Sequence, residues 1–91
     1  MFYAISYDIR DDDRRNSVSK ILEGYGQRVQ RSLFECNLTS DQVQKLLEEL
    51  EPFIDTDEDS LRCYPLCNAC SSNIKQLGGL PITRDAQYYI A

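Results

Sequence analysis

Residues 2–9 read FYAISYDI, and both faces of that alternation stay largely apolar until its end. Tyr3, Ile5, Tyr7 and Ile9 fall on one side; Phe2, Ala4, Ser6 and Asp8 fall on the other. A strand apolar on two sides belongs in the middle of a sheet with cover above and below. The rest of the chain must supply that cover. Asp8 is set at the C-terminal end, on the face opposite Tyr7.

The cover is short. After RDDD, the apolar residues Val18, Ile21, Leu22 and Tyr25 repeat at helical spacing. Asp11, Asp12 and Asp13 stand where carboxylates cap free amides, and Gly24 and Gly26 bring the helix to an end. QRVQRSLFECNL, residues 27–38, is rich in strand formers and predicts one bent strand or a tight hairpin. Thr39 to Gln42 has the form of a capping box, with Val43, Leu46, Leu47 and Leu50 following on one helical face until Pro52. SLRCYPLC, residues 60–67, predicts a further strand whose Pro65 belongs at an edge or a bulge. NIKQLGG, residues 73–79, predicts a short strand and turn, and the tail from residue 80 is apolar enough to pair with something else.

This order predicts an α+β, ferredoxin-like plait (βαββαβ) over residues 1–79, with an extra C-terminal strand at 80–91. Two helices cover only one face of such a sheet. At 91 residues the chain is one domain that buries roughly 60–65% of its unfolded surface. A second copy is the simplest cover for the open face, the one holding Asp8, and the spare strand would then cross to the partner of a homodimer.

The absence of histidine removes whole classes of chemistry: no Ser-His-Asp or Cys-His nucleophile, and no imidazole acid–base pair. Carboxylates, a bound metal, thiolates or tyrosines remain. Cys63, Cys67 and Cys70 read C-x3-C-x2-C, and zinc would need Cys36 as its fourth ligand. Incidental thiols in a reducing compartment are the simpler reading. No run of residues approaches the ~20 needed to span a bilayer, and no secretory leader precedes the first strand, so a cytoplasmic protein without a membrane partner is expected.

Asp8 is the leading candidate for chemistry, because ligands bind beyond the carboxyl ends of central strands in α/β layers. One aspartate is a poor metal site, but two Asp8 carboxylates meeting across a two-fold axis suit Mg²⁺. A metal there could activate water and neutralise a phosphodiester without any histidine. Arg14 and Arg15 on the first helix, and Arg28 and Arg31 in the 27–38 segment, form a basic group for phosphates. Phe34 could stack a base or serve as core. The formal charge of −5 does not oppose this, since residues 39–60 hold one lysine against eight acids while residues 1–38 are balanced. Acidity belongs to the second helix and its loop, a face suited to water or a basic partner.

The segments YDIRDDDRRN (7–16), RVQRSLFEC (28–36), DSLRCYPLC (59–67) and QLGG (76–79) resemble the CRISPR-associated endoribonuclease family, the small partner of the spacer integrase in CRISPR adaptation. The resemblance is collinear over about residues 2–79. It implies a homodimer with exchanged C-terminal strands in the prokaryotic cytoplasm. It also implies an Mg²⁺- or Mn²⁺-dependent endonuclease acting on single-stranded RNA or double-stranded DNA. The family's catalytic and metal-binding aspartate maps onto Asp8 of both protomers, and its neighbouring aromatic onto Tyr7. The family's helix arginine, strand arginine and strand phenylalanine map onto Arg15, Arg28 and Phe34. Ser17 stands where some members carry a basic residue. Two competing functions are a non-catalytic dimeric scaffold that bridges integrase dimers on duplex DNA, and a toxin-like mRNA interferase of related fold. A small-ligand regulatory domain is the remaining alternative that fold alone allows.

Overall fold

The computed structural model describes residues 1–77, with the side chain of Ser71 excepted. The order is β1 (Phe2–Asp8), α1 (Asp12–Glu23), β2 (Gln27–Gln30), β3 (Leu33–Asn37), α2 (Ser40–Leu50), a 3₁₀ turn (Glu51–Phe53), β4 (Ser60–Leu66) and a short α3 (Asn68–Ser72). The strands form one antiparallel sheet in the order β2-β3-β1-β4. This is the βαββαβ plait, with β1 between β3 and β4. The 27–38 segment resolves as a hairpin with a register shift between Arg28 and Gln30. The tail at 80–91 lies outside the described residues. No helix among those described is long and apolar enough to cross a membrane.

Local chemistry explains the helix limits. Asp11 caps α1 by accepting the Arg14 amide at 2.9 Å. Thr39 and Gln42 close a reciprocal capping box on α2, each side chain meeting the other's backbone amide. Val18 and Leu22 from α1, and Leu46 and Leu50 from α2, pack with Ile5, Tyr7, Phe34 and Cys36 into one core. Both long helices therefore cover the Ile5 side of the sheet.

The opposite side is open. Register places Ser6 between Leu33 and Arg62, and Ala4 between Glu35 and Tyr64. Arg62 and Tyr64 are exposed, Ala4, Ser6, Leu33 and Glu35 are half-buried, and Phe2 at the far end is the buried exception. That face is more mixed in polarity than β1 alone predicts, because β3 and β4 bring Glu35 and Arg62 to it. Pro65 stands exposed on β4, an edge strand among the described residues, where a missing N–H is best tolerated.

The strand expected at 73–79 is absent from its described part, residues 73–77. A helical turn forms over Asn68–Ser72 instead. Asn73, Lys75 and Gln76 are weak strand formers, and a strand exists only where a neighbour completes its ladder.

One glycine is fixed by proximity. A Cβ at Gly26 would stand 2.4 Å from both the Glu35 carbonyl oxygen and Cys36 Sγ. The Glu35 oxygen belongs to the β3 backbone, which cannot swing aside. Gly26→Ala should therefore lower the unfolding free energy by about 1–3 kcal/mol in a denaturant titration. An unchanged midpoint would show that the β2–β3 contact is looser than described.

Candidate functional site

Asp8 closes β1 on the open face, exposed, with Ser60 of β4 as its register partner. Its carboxylate has no hydrogen-bond or ion-pair partner among the described residues. Beside it lies a cleft of about 320 Å³ lined by Tyr7, Asp8, Ile9, Arg15, Arg31 and Ser32. The cleft exists because β1 runs into the start of α1 on one side and meets the β2–β3 turn on the other. Tyr7, 4% exposed, donates its hydroxyl to the Arg31 carbonyl at 3.3 Å, and its own amide donates to the Ser32 carbonyl at 3.1 Å. Tyr7 thus anchors the turn that carries Arg31 and does not present a ring to solvent.

The four arginines have separate fates. Arg15 donates Nε to the Ile9 carbonyl at 3.0 Å, one terminal nitrogen to the Arg10 carbonyl at 3.1 Å, and the other to Asp12 at 2.7 Å. It holds the Asp8-to-α1 loop in place. Arg31 is exposed and has no side-chain partner among the described residues, which leaves its charge available to a ligand in the cleft. Arg14 is bound instead to Asp59 at 2.9 Å and to Glu58 at 3.5 Å. Arg28 lies on the helix-covered side, donating to Ser19 Oγ, 3.8 Å from Glu23 and 5.4 Å from the Phe34 ring centroid.

Phe34 itself is 0% exposed and belongs to the core. In this fold no base can reach its ring, which corrects the stacking role raised for it. Its ring packs 6.3 Å from that of Tyr7. The structure brings together Asp8, Tyr7, Arg15 and Arg31. It leaves Arg14, Arg28 and Phe34 away from the cleft lining.

Sequence reasoning missed Asp59, which reads there as one more acid in a solvated loop. Its side chain is 0% exposed. It accepts the Arg10 amide at 3.0 Å, the Asp55 amide at 3.0 Å and two nitrogens of Arg14. The residue next to it, Ser60, is the register partner of Asp8. Asp59 therefore ties the β4 start, the loop after Asp8 and the first turn of α1 into one unit. The Arg10 amide, then the Asp55 amide and Arg14, hold its carboxyl below the usual carboxylate range. A group with a lowered folded pKa adds stability above its unfolded value, near 4, and loses it as pH falls through the folded value. Thermal unfolding from pH 7 to pH 2 should show that acid loss in the wild type. Asp59→Asn should melt lower at pH 7 with a flatter acid limb, and an unchanged limb would remove Asp59 from this role.

The described residues hold no group of three or more Cys, Asp or Glu side chains placed to bind a metal ion. Cys36 is buried in the core and Cys63 faces the same side, while Cys67 and Cys70 are exposed. A four-cysteine zinc site within one chain is thus not formed. Asp8 alone gives one carboxylate, which fits Mg²⁺ or Mn²⁺ only if water, phosphate oxygens or a second chain complete the octahedron.

Comparison with known proteins decides the lineage. The family model for CRISPR associated protein Cas2 matches residues 1–74, most of the chain. The chain belongs to the Cas2 family. A relative from Chloroflexus aurantiacus, a CRISPR-associated endoribonuclease Cas2, is 46% identical over 88 residues, covering 96% of this chain and 95% of that one. The crystal structure of Streptococcus pyogenes Cas2 at pH 6.5 superposes with a TM-score of 0.76 at 32% identity, over 86% of this chain and 100% of that one. A chain in a partial Cas6-RT-Cas1–Cas2 complex superposes with a TM-score of 0.73 at 32% identity, over 89% of this chain and 94% of that one. Membership in the Cas2 family sets aside the interferase and small-ligand alternatives.

Proposed function

We propose that this chain is a homodimeric, metal-dependent endonuclease of CRISPR adaptation, hydrolysing phosphodiester bonds of single-stranded RNA or duplex DNA alongside the spacer integrase. The observation that carries it is Asp8: an exposed carboxylate beside the Arg31 guanidinium, both without a side-chain partner among the described residues, on a sheet face that neither long helix covers. A second copy packed on that face brings two Asp8 carboxylates toward one axis. The names of the relatives, endoribonuclease and endonuclease, support hydrolysis.

Each residue then has a task. The paired Asp8 carboxylates would hold Mg²⁺ or Mn²⁺. When bound, that ion lowers the pKa of a water nucleophile and offsets the charge building on the phosphodiester. Arg31 draws the scissile phosphate into the cleft and orients it. Arg15, fixed to the Ile9 and Arg10 carbonyls, keeps the loop after Asp8 from drifting, and Tyr7 does the same for the turn bearing Arg31. We also propose that residues 80–91 pair with the partner protomer, since among the described residues β4 ends the sheet with an open edge. A task on genomic DNA belongs to the prokaryotic cytoplasm.

The test is cleavage of single-stranded RNA and duplex DNA with Mg²⁺ or Mn²⁺, with and without chelator, across pH. Cleavage confined to the metal-containing reactions supports the proposal, and equal cleavage with chelator sinks it. Arg31→Ala should weaken binding and reduce the slope of log affinity against log salt by about 0.9 for each duplex phosphate that Arg31 neutralises. Arg14→Ala should leave that slope alone, its charge being spent on Asp59. A second reading is favoured by the match to a complex containing Cas1 and Cas2. There the dimer serves as a scaffold for the integrase on duplex DNA, and spacer acquisition would survive loss of cleavage.

A further inference from the structure

We infer that Cys67 and Cys70 form a reactive dithiol that closes reversibly to an intrachain disulfide, a redox site separate from the Asp8 cleft. The four cysteines divide into two pairs of opposite character. Cys36 and Cys63 point toward the core, and burial pushes both thiols up, that of Cys36 to about 12. They are chemically quiet. Cys67 and Cys70 are both exposed, at the point where β4 ends and α3 begins.

Geometry joins the second pair. Cys67 stands immediately before α3, and Cys70 is the third residue of that helix. The Cys70 amide donates to Cys67 Sγ at 3.4 Å. That contact folds the Cys67 sulfur back over the turn that carries Cys70. The Cys70 amide foremost pushes the Cys67 thiol down, and the neighbouring Cys67 side chain pushes the Cys70 thiol up. One sulfur is thereby set as the attacking thiolate and the other as the resolving thiol. Closing the bond needs Cβ atoms about 3.5–4.5 Å apart.

The oxidant is a low-molecular-weight disulfide of the glutathione class. The Cys67 thiolate attacks one of its sulfurs, forms a mixed disulfide and expels the other half as a thiolate. Cys70 then gives its proton to solvent and attacks Cys67 Sγ. The Cys67–Cys70 bond forms and the second half leaves as a thiolate. Two protein thiols are oxidised and one small disulfide is reduced to two thiols, a two-electron exchange. The closed loop contains only Asn68 and Ala69, so little chain entropy is removed and the melting temperature should hardly move.

The experiment equilibrates the full chain with glutathione disulfide, quenches with acid, alkylates the remaining thiols and maps the peptides by mass. The wild type, Cys36→Ser and Cys63→Ser should each lose two free thiols, joined within one chain as Cys67–Cys70, and recover them with reduced glutathione. Cys70→Ser should stop at a glutathione adduct on Cys67. With iodoacetamide at neutral pH, Cys67 should react at least about tenfold faster than Cys36. Four thiols left free would overturn the inference, as would a Cys67 bond between two chains or an adduct that builds up on Cys70.

Discussion

Asp8→Asn should remove metal-dependent cleavage of RNA and DNA while leaving the circular dichroism spectrum, the melting temperature and the dimer intact. The fold does not depend on this side chain. Asp8 is exposed at the last position of β1, and its carboxylate makes no bond within the described residues that the amide would lose. The proposed chemistry, in contrast, depends on it. The chain has no histidine, and the described residues hold no metal-binding cluster that would take over. Asn keeps the shape and removes the charge that holds a divalent cation. Losing several kcal/mol of charge stabilisation at the phosphodiester corresponds to a fall on the order of 10³-fold or more in rate. Cleavage within tenfold of wild type would place the chemistry elsewhere.

Phe34→Ala should unfold the protein far more easily and affect nucleic acid only through that loss. Phe34 is fully buried near the start of β3, opposite Ile5 on β1, and packs with Tyr7, Val18 and Leu22 in the core. Truncating such a ring costs about 3–5 kcal/mol. A domain of this length holds only about 5–15 kcal/mol in total. The melting temperature should fall by at least about 12 °C, from roughly 4 °C for each kcal/mol. Arg28 also loses the ring face under its guanidinium. Phe34→Leu should recover most of the stability. A variant that melts like the wild type but binds RNA poorly would show that the ring reaches bases.

Much of this was legible in the residues because the signals were local. Asp11, Thr39 and Gln42 announce helix starts by chemistry that acts within three residues. Alternation alone set Ile5 and Tyr7 apart from Ser6 and Asp8. Asp8 stood out because it ends a central strand, where ligands bind in α/β layers. What escaped was long-range. Asp59 is 45 positions from its partner Arg14, and nothing in DTDEDS distinguishes the one acid that turns inward. Arg14, Arg15, Arg28 and Arg31 look alike as a basic group, yet only tertiary placement separates the pinned from the available. The strand expected after residue 72 failed for the same reason, since a ladder needs a neighbour that local composition cannot provide.

The central claim is that two chains complete one metal site through Asp8. Mn²⁺ binding to the purified dimer, measured by titration calorimetry with electron paramagnetic resonance of the free ion, tests it directly. The account predicts one ion per two chains, lost in Asp8→Asn without loss of the dimer. One ion per single chain, or binding that persists in Asp8→Asn, would contradict it.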